Sequence, residues 1–179
     1  MSYLDETYFK NNPVALPDVE HSNGVGGATA NASYDKIRKC IALNEPKYLR
    51  TLMGKELFLE YLSDIDAENI QKWEPFFAKL IDTDNLRSPM ANWIFIQFIT
   101  ENYSRQTSIG SVKVKGDNAV NTQPFMNQVL AWNDMVFQHE SFLTWLYENK
   151  SDFEGTAAFD TSSWDYLSTE KAMAEGYFL

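Results

Sequence analysis

The sequence predicts a mainly α fold: a helical bundle bearing one short β-hairpin, with extended N- and C-terminal arms. Three observations carry this. From Pro124 to Lys150 the apolar positions Phe125, Val129, Trp132, Val136, His139, Leu143 and Leu146 step by four and three in alternation, the rhythm of a helix laid along another helix. Shorter stretches of the same period fill residues 34–99, and the one internal stretch without it, Gln106 to Gln123, has the alternation and turn chemistry of a β-ribbon. Outside residues 33–150 no long period survives. The chain therefore divides into an N-terminal arm (1–32), a bundle (33–150, with its hairpin at about 107–123) and a C-terminal tail (151–179).

In chain order, residues 1–32 hold Pro13, Pro17 and a run from His21 to Ala32 rich in Gly, Ser and Asn, which is turn and linker chemistry. Tyr3, Leu4, Tyr8 and Phe9 cluster at the front, as a segment that docks on a surface requires. The run Gly24-Val-Gly26-Gly27 is no phosphate loop, since no strand precedes it and no Lys-Ser/Thr follows. Ser33 caps a first helix, Tyr34 to Ala42, with Ile37, Cys40 and Ile41 on one stripe. Asn44-Glu45-Pro46 punctuates, and Pro46 opens a second helix through Tyr48, Leu49, Leu52 and Met53. Gly54 either ends that helix or marks a point of close packing, and Leu57, Phe58, Tyr61 and Leu62 continue the apolar face.

Ile70, Trp73, Phe76, Phe77, Leu80 and Ile81 keep helical spacing across Pro75, which predicts two short helices or a kink. Ser88-Pro89 supplies a cap and a first-turn proline to a helix that is apolar almost all round from Trp93 to Ile99. That helix belongs at the centre, against the Pro124 to Lys150 helix. In the ribbon, Val112 to Lys115 alternates, Gly116-Asp117-Asn118 turns and Ala119 to Thr122 returns. Beyond Lys150, Phe153, Phe159, Trp164, Tyr166, Leu167, Tyr177, Phe178 and Leu179 sit among Asp, Ser, Thr and Gly, with a short helix expected near 169–175.

At 179 residues the chain is long enough to bury roughly two thirds of its unfolded surface without staples. Cys40 is the only cysteine, which removes disulfide frameworks and cysteine zinc sites and points to a reducing, cytoplasmic folding compartment. The opening Met-Ser-Tyr-Leu-Asp-Glu lacks both a basic and an apolar region, and no apolar run reaches membrane-spanning length, so a soluble chain is expected. The net charge of −10 works against duplex DNA binding by counterion release. Basic residues concentrate in Lys36, Arg38, Lys39, Lys47, Arg50 and Lys55, whereas the chain after Lys150 is acidic. A basic face of one subunit meeting the acidic tail of another is one reading of this asymmetry, and two ordinary solvated faces is the other.

No catalytic set stands out. The pairs Asp64/Asp66 and Asp82/Asp84 lack the Gly and distal Glu of an EF-hand. His139 lies on the apolar seam as a hydrogen-bonded core or interface residue, its only possible imidazole companion being His21 in the arm. Cys40 has no nearby His to activate it. No strand-turn-helix elbow is visible to carry a nucleophile. The chain reads as non-enzymatic, with no catalytic, cofactor-binding or metal residue.

The order of parts is distinctive: an arm, a capped helix, a helix ending in Tyr48-Leu49-Arg50-Thr51-Leu52-Met53-Gly54, further helices, a hairpin after Arg105-Gln106-Thr107-Ser108-Ile109-Gly110, and a long helix ending in Phe142-Leu143-Thr144-Trp145-Leu146-Tyr147-Glu148-Asn149. Over residues 33–150 it resembles the helical head–tail connector (adaptor, or head-completion) proteins of tailed bacteriophages and related phage and prophage proteins of gut Bacteroidetes. The resemblance implies a structural virion protein made in the host cytoplasm and placed in the neck. It also implies a homo-oligomeric ring, twelvefold in many members, that contacts the portal protein and tail or neck proteins while DNA only passes through its lumen. The long arm and aromatic tail depart from compact members and leave open which ring is formed. The residues expected at subunit or partner interfaces are Tyr3, Tyr8 and Phe9 of the arm, Lys36, Arg38, Lys39 and Arg50 of the basic region, Val112, Lys113, Val114 and Lys115 of the hairpin, and Phe159, Trp164, Tyr166 and Phe178 of the tail. The alternative from another class is a monomeric helical protein-binding module of a bacterial host.

Overall fold

The computed structural model describes residues 2–16, 27–107, 110–113 and 124–169. These are mainly helical: α1 (Gly27–Met53), α2 (Lys55–Asp66), α3 (Glu74–Leu80), α4 (Pro89–Tyr103), α5 (Pro124–Asn149) and α6 (Trp164–Ser168), with 3-10 turns between several of them. The central pair is α4 and α5. Ser88 Oγ accepts from the Met90 backbone N–H at 3.2 Å and starts α4, whose Met90, Ala91, Ile94, Phe95 and Ile99 are buried. Asn92 ties the pair together, its Nδ2 donating to the Ala131 carbonyl at 2.9 Å and to Asp134 at 2.7 Å. Arg87 reaches the same Asp134 carboxylate from the turn before α4. On α5 the expected seam is buried at Val129, Trp132, Val136, His139 and Leu146. No helix among the described residues is long and apolar enough to cross a membrane.

Four expectations are corrected. The first is the break at Asn44 to Pro46, through which α1 runs unbroken. A proline inside a helix costs about 3 kcal/mol, chiefly through a lost hydrogen bond and a ring clash. Here Pro46 and Ala42, whose carbonyl loses its donor, both face solvent. On the opposite side Ile41, Tyr48 and Leu49 are buried on either side of the proline. Each such burial is worth about 1.5–3 kcal/mol, so packing outweighs the break. Asn44 assists by donating to the Cys40 carbonyl at 3.0 Å. The helix also begins upstream of Ser33, in the Ala-rich run that the sequence assigns to the arm.

The second concerns the hairpin. The pairing of Val112–Lys115 with Ala119–Thr122 is not seen among the described residues. A four-residue antiparallel pair instead joins β1 (Ser104–Thr107) to β2 (Gly110–Lys113), with Arg105 opposite Val112. The expected return strand lies outside the described residues.

The third concerns the front of the arm, which docks on its own bundle. Leu4, Tyr8, Phe9 and Val14 join the core cluster, and Tyr3 stacks on Phe77 at 3.6 Å between centroids. The anchor is Glu45, a buried carboxylate on α1. It accepts from Ser2 Oγ at 2.8 Å and from the Tyr3 backbone N–H at 3.0 Å. A buried carboxylate requires such donors, which is why this segment and α1 hold each other.

The fourth is the boundary at Lys150, which is not a packing boundary. Phe153, Phe159, Trp164 and Leu167 belong to the same core cluster as the bundle. The α1 helix ends with unpaired carbonyls, as every helix does, and the tail supplies their donors. Ser163 Oγ donates to the Thr51 carbonyl, Trp164 Nε1 to Leu52 at 2.9 Å and the Asp160 backbone N–H to Met53 at 3.1 Å. The tail through Thr169 therefore caps α1 and closes the core of its own chain. The helix expected near 169–175 falls almost wholly outside the described residues, and the observed one, α6, lies just before it.

Candidate protein-interaction face

The α1 helix divides sharply into two sides. Ile37, Cys40, Ile41, Asn44, Glu45, Tyr48, Leu49 and Leu52 are buried, and the intervening positions face solvent except Thr51, which is half-buried. Lys36, Lys39, Leu43, Lys47 and Arg50, at steps of three and four, form one exposed stripe. Leu43 at its centre is 63% exposed. Lys47 donates to Asn44 at 3.1 Å, and Arg38 lies over the Tyr34 ring at 5.6 Å. Among the described residues none of Lys36, Lys39, Lys47 and Arg50 forms an ion pair. In an acidic chain this is a cationic strip with an apolar centre.

The solvent side of α2 has the opposite sign. Glu56, Leu59, Leu62, Ser63 and Asp66 are exposed, Leu59 at 51%. Between this face and residues 156–158 runs a cleft of about 670 Å³ bounded by Glu56, Leu59, Glu60 and Ser63. Glu60 accepts from Thr156 Oγ1 and from the Ala157 backbone N–H, each at 3.1 Å, and from Lys72 at 3.4 Å. Burial works to raise its pKa, and these donors outweigh burial and hold the carboxyl below the usual range. A second cleft of about 340 Å³, between Lys79, Arg87 and Glu140, has Phe137 on its rim at 69% exposure.

The titratable groups inside the core lie away from both clefts. His139 is fully buried with Nε2 bonded to the Tyr48 hydroxyl. Burial pushes the Tyr48 phenol well above 10, so it remains a donor to Nε2 when the ring proton sits on Nδ1. Among the described residues Nδ1 has no hydrogen-bond partner. Burial pulls His139 down from 6.5 to about 4, against an opposing pull from the Leu167 backbone. Cys40 is buried too, and burial pushes its thiol up to about 11, so it is no thiolate at neutral pH. Neither His139 nor Cys40 lines either cleft. Among the described residues no three His, Cys, Asp or Glu side chains converge as a metal set would.

A pH dependence follows. Because the folded pKa of His139 lies below its unfolded value, the unfolded state binds more protons between pH 6.5 and 4. The contribution is fully present above pH 6.5 and falls as pH drops toward 4, by about 3 kcal/mol over the full window. His139→Gln keeps an acceptor for Tyr48 but cannot titrate. Denaturant titrations at pH 7.5 and 4.5 should show the wild-type advantage over this variant shrinking on acidification; an advantage that stays constant would refute the assignment.

The sequence-predicted interface residues fall into three groups. Lys36, Arg38, Lys39 and Arg50 are exposed on α1, and Tyr166 is exposed at 59% while meeting the Trp132 ring edge-on. Tyr8, Phe9, Phe159 and Trp164 are buried in their own chain and Tyr3 is half-buried, so these five serve the monomer's core. Val112 and Lys113 lie in β2, whereas Val114, Lys115 and Phe178 lie outside the described residues. Leu43 and Lys47 complete the stripe and were not among the predicted interface residues. Their spacing from Lys39 shows them only on a helix that continues through Pro46. No known protein family, curated protein or solved structure matches this chain.

Proposed function

We propose that this protein is a non-enzymatic structural subunit that works by binding other protein surfaces. Following the resemblance above, it is a ring component of the head–tail connector in the neck of a tailed phage, contacting the portal protein and neck or tail proteins. The observation that carries the reading is the exposed stripe of Lys36, Lys39, Lys47 and Arg50 around Leu43, none of them in an ion pair among the described residues, in a chain of net charge −10. A charged strip with an apolar centre suits a complementary protein face, where charge supplies steering and register and the apolar residue is desolvated. The same net charge keeps duplex DNA from adhering as it passes, since there are few cations to release its counterions.

Mass photometry of the full chain, alone and with a portal protein, tests this. A discrete multi-subunit species, or a stable complex with the portal, is expected. A strict monomer with no affinity for virion components would overturn the proposal and return the chain to the class of monomeric binding modules.

A further inference from the structure

We infer that the α1 stripe of one copy seats on the α2 cleft of a second copy of this chain, a head-to-tail contact; this rests on the ring reading above. The two faces match in chemistry and in length. On α1, Leu43 is flanked at four residues on either side by Lys39 and Lys47, with Lys36 and Arg50 beyond them. On α2, Leu59 and Leu62 lie between Glu56 and Asp66. At 1.5 Å rise per residue, Lys39 and Lys47 stand about 12 Å apart along their axis, and Glu56 and Asp66 about 15 Å apart along theirs. Two helices laid side by side can thus pair both cations with both carboxylates while Leu43 enters between the leucines.

The α2 helix keeps an acidic excess. Lys72 reaches Glu60 at 3.4 Å and Asp64 at 3.9 Å, and Lys55 meets Glu56 at 3.4 Å in an exposed pair. Against these two cations stand four carboxylates: Glu56, Glu60, Asp64 and Asp66. A symmetric contact of stripe on stripe would set lysine against lysine, which costs free energy at every pair. The complementary contact uses two different faces of each copy. Each subunit then offers one free face at either end, and repetition closes a ring or extends a filament.

The test uses full-length chains. Leu43→Cys and Leu59→Cys are made as separate proteins and exposed to a mild oxidant alone and as an equal mixture. A covalent dimer should form in the mixture and in neither protein alone, and high salt should suppress it. Lys39→Glu with Lys47→Glu should weaken self-association by about tenfold or more, and adding Glu56→Lys with Asp66→Lys to the same chain should restore it. A dimer from either cysteine variant alone overturns the inference by showing a symmetric contact. Self-assembly without the mixed cross-link overturns the choice of faces and leaves the ring reading standing. Absence of any self-assembly overturns the inference, and the reading above falls with it only when the chain also shows no affinity for the portal protein. Tight, salt-sensitive binding of duplex DNA by the stripe, with no self-association, also overturns the inference.

Discussion

A chain ended after Lys150 will be molten, keeping much of its helical signal but losing a cooperative melt and binding hydrophobic dye. The removed segment carries Phe153, which packs against Trp73, Phe76 and Trp145, and Phe159, which packs against Phe76 and Trp164. Trp164 and Leu167 are buried beside them. Truncating a buried aromatic costs about 3–5 kcal/mol and a buried leucine about 2–5 kcal/mol. Four such losses match or exceed the whole stability of an ordinary domain, about 5–15 kcal/mol. The last turn of α1 would also lose the donors that Asp160, Ser163 and Trp164 bring to its carbonyls. A soluble truncated chain with a sharp melt would show that the bundle closes without the tail.

Gly54→Ala will cost about 2–5 kcal/mol, because it combines backbone strain with a rigid clash. Gly54 separates α1 from α2 at φ 83° and ψ 165°, a region that side chains other than hydrogen essentially do not occupy. Its added methyl would stand 2.5 Å from Asp160 Cβ and 3.2 Å from the Asp160 backbone nitrogen, the same nitrogen that bonds Met53. Backbone held by a hydrogen bond cannot swing aside. Gly155→Ala is the informative control: its methyl meets Glu60 Oε1 at 1.9 Å, yet that atom ends a flexible side chain, which can move at the expense of its bonds to Thr156 and Ala157. Denaturant midpoints should rank Gly54→Ala as the more damaging change. The reverse order would mean that the Asp160 segment yields easily.

Much of the helical body was legible because period and punctuation agree there. Ser88-Pro89 starts α4, Pro124 starts α5, and the alternating seam of α5 is the side that is buried. Where the two signals disagreed, punctuation misled. At Pro46 the apolar stripe from Ile37 to Leu52 is continuous, and following it would have recovered both the single helix and the stripe centred on Leu43. The tail misled in the opposite way: Phe159, Trp164 and Leu167 carry no period, so their apolar character could be placed against any surface, a neighbour's as readily as their own.

Sequence by itself determined the mainly helical class, the chemistry of the buried faces, the poverty in cysteine and histidine and the acidic charge with its basic enclave, because each is a property of local spacing or of composition. Tertiary structure alone decided that Glu45 anchors the arm, that residues 153–167 complete the core, and that Leu43 and Leu59 remain exposed on faces of opposite charge. These depend on contacts between residues tens of positions apart, as between Ser2 and Glu45 or Trp164 and Leu52. No local pattern encodes such a meeting. It is fixed by the volume left open when the helices pack and by the helix carbonyls and buried carboxylate that must then find donors.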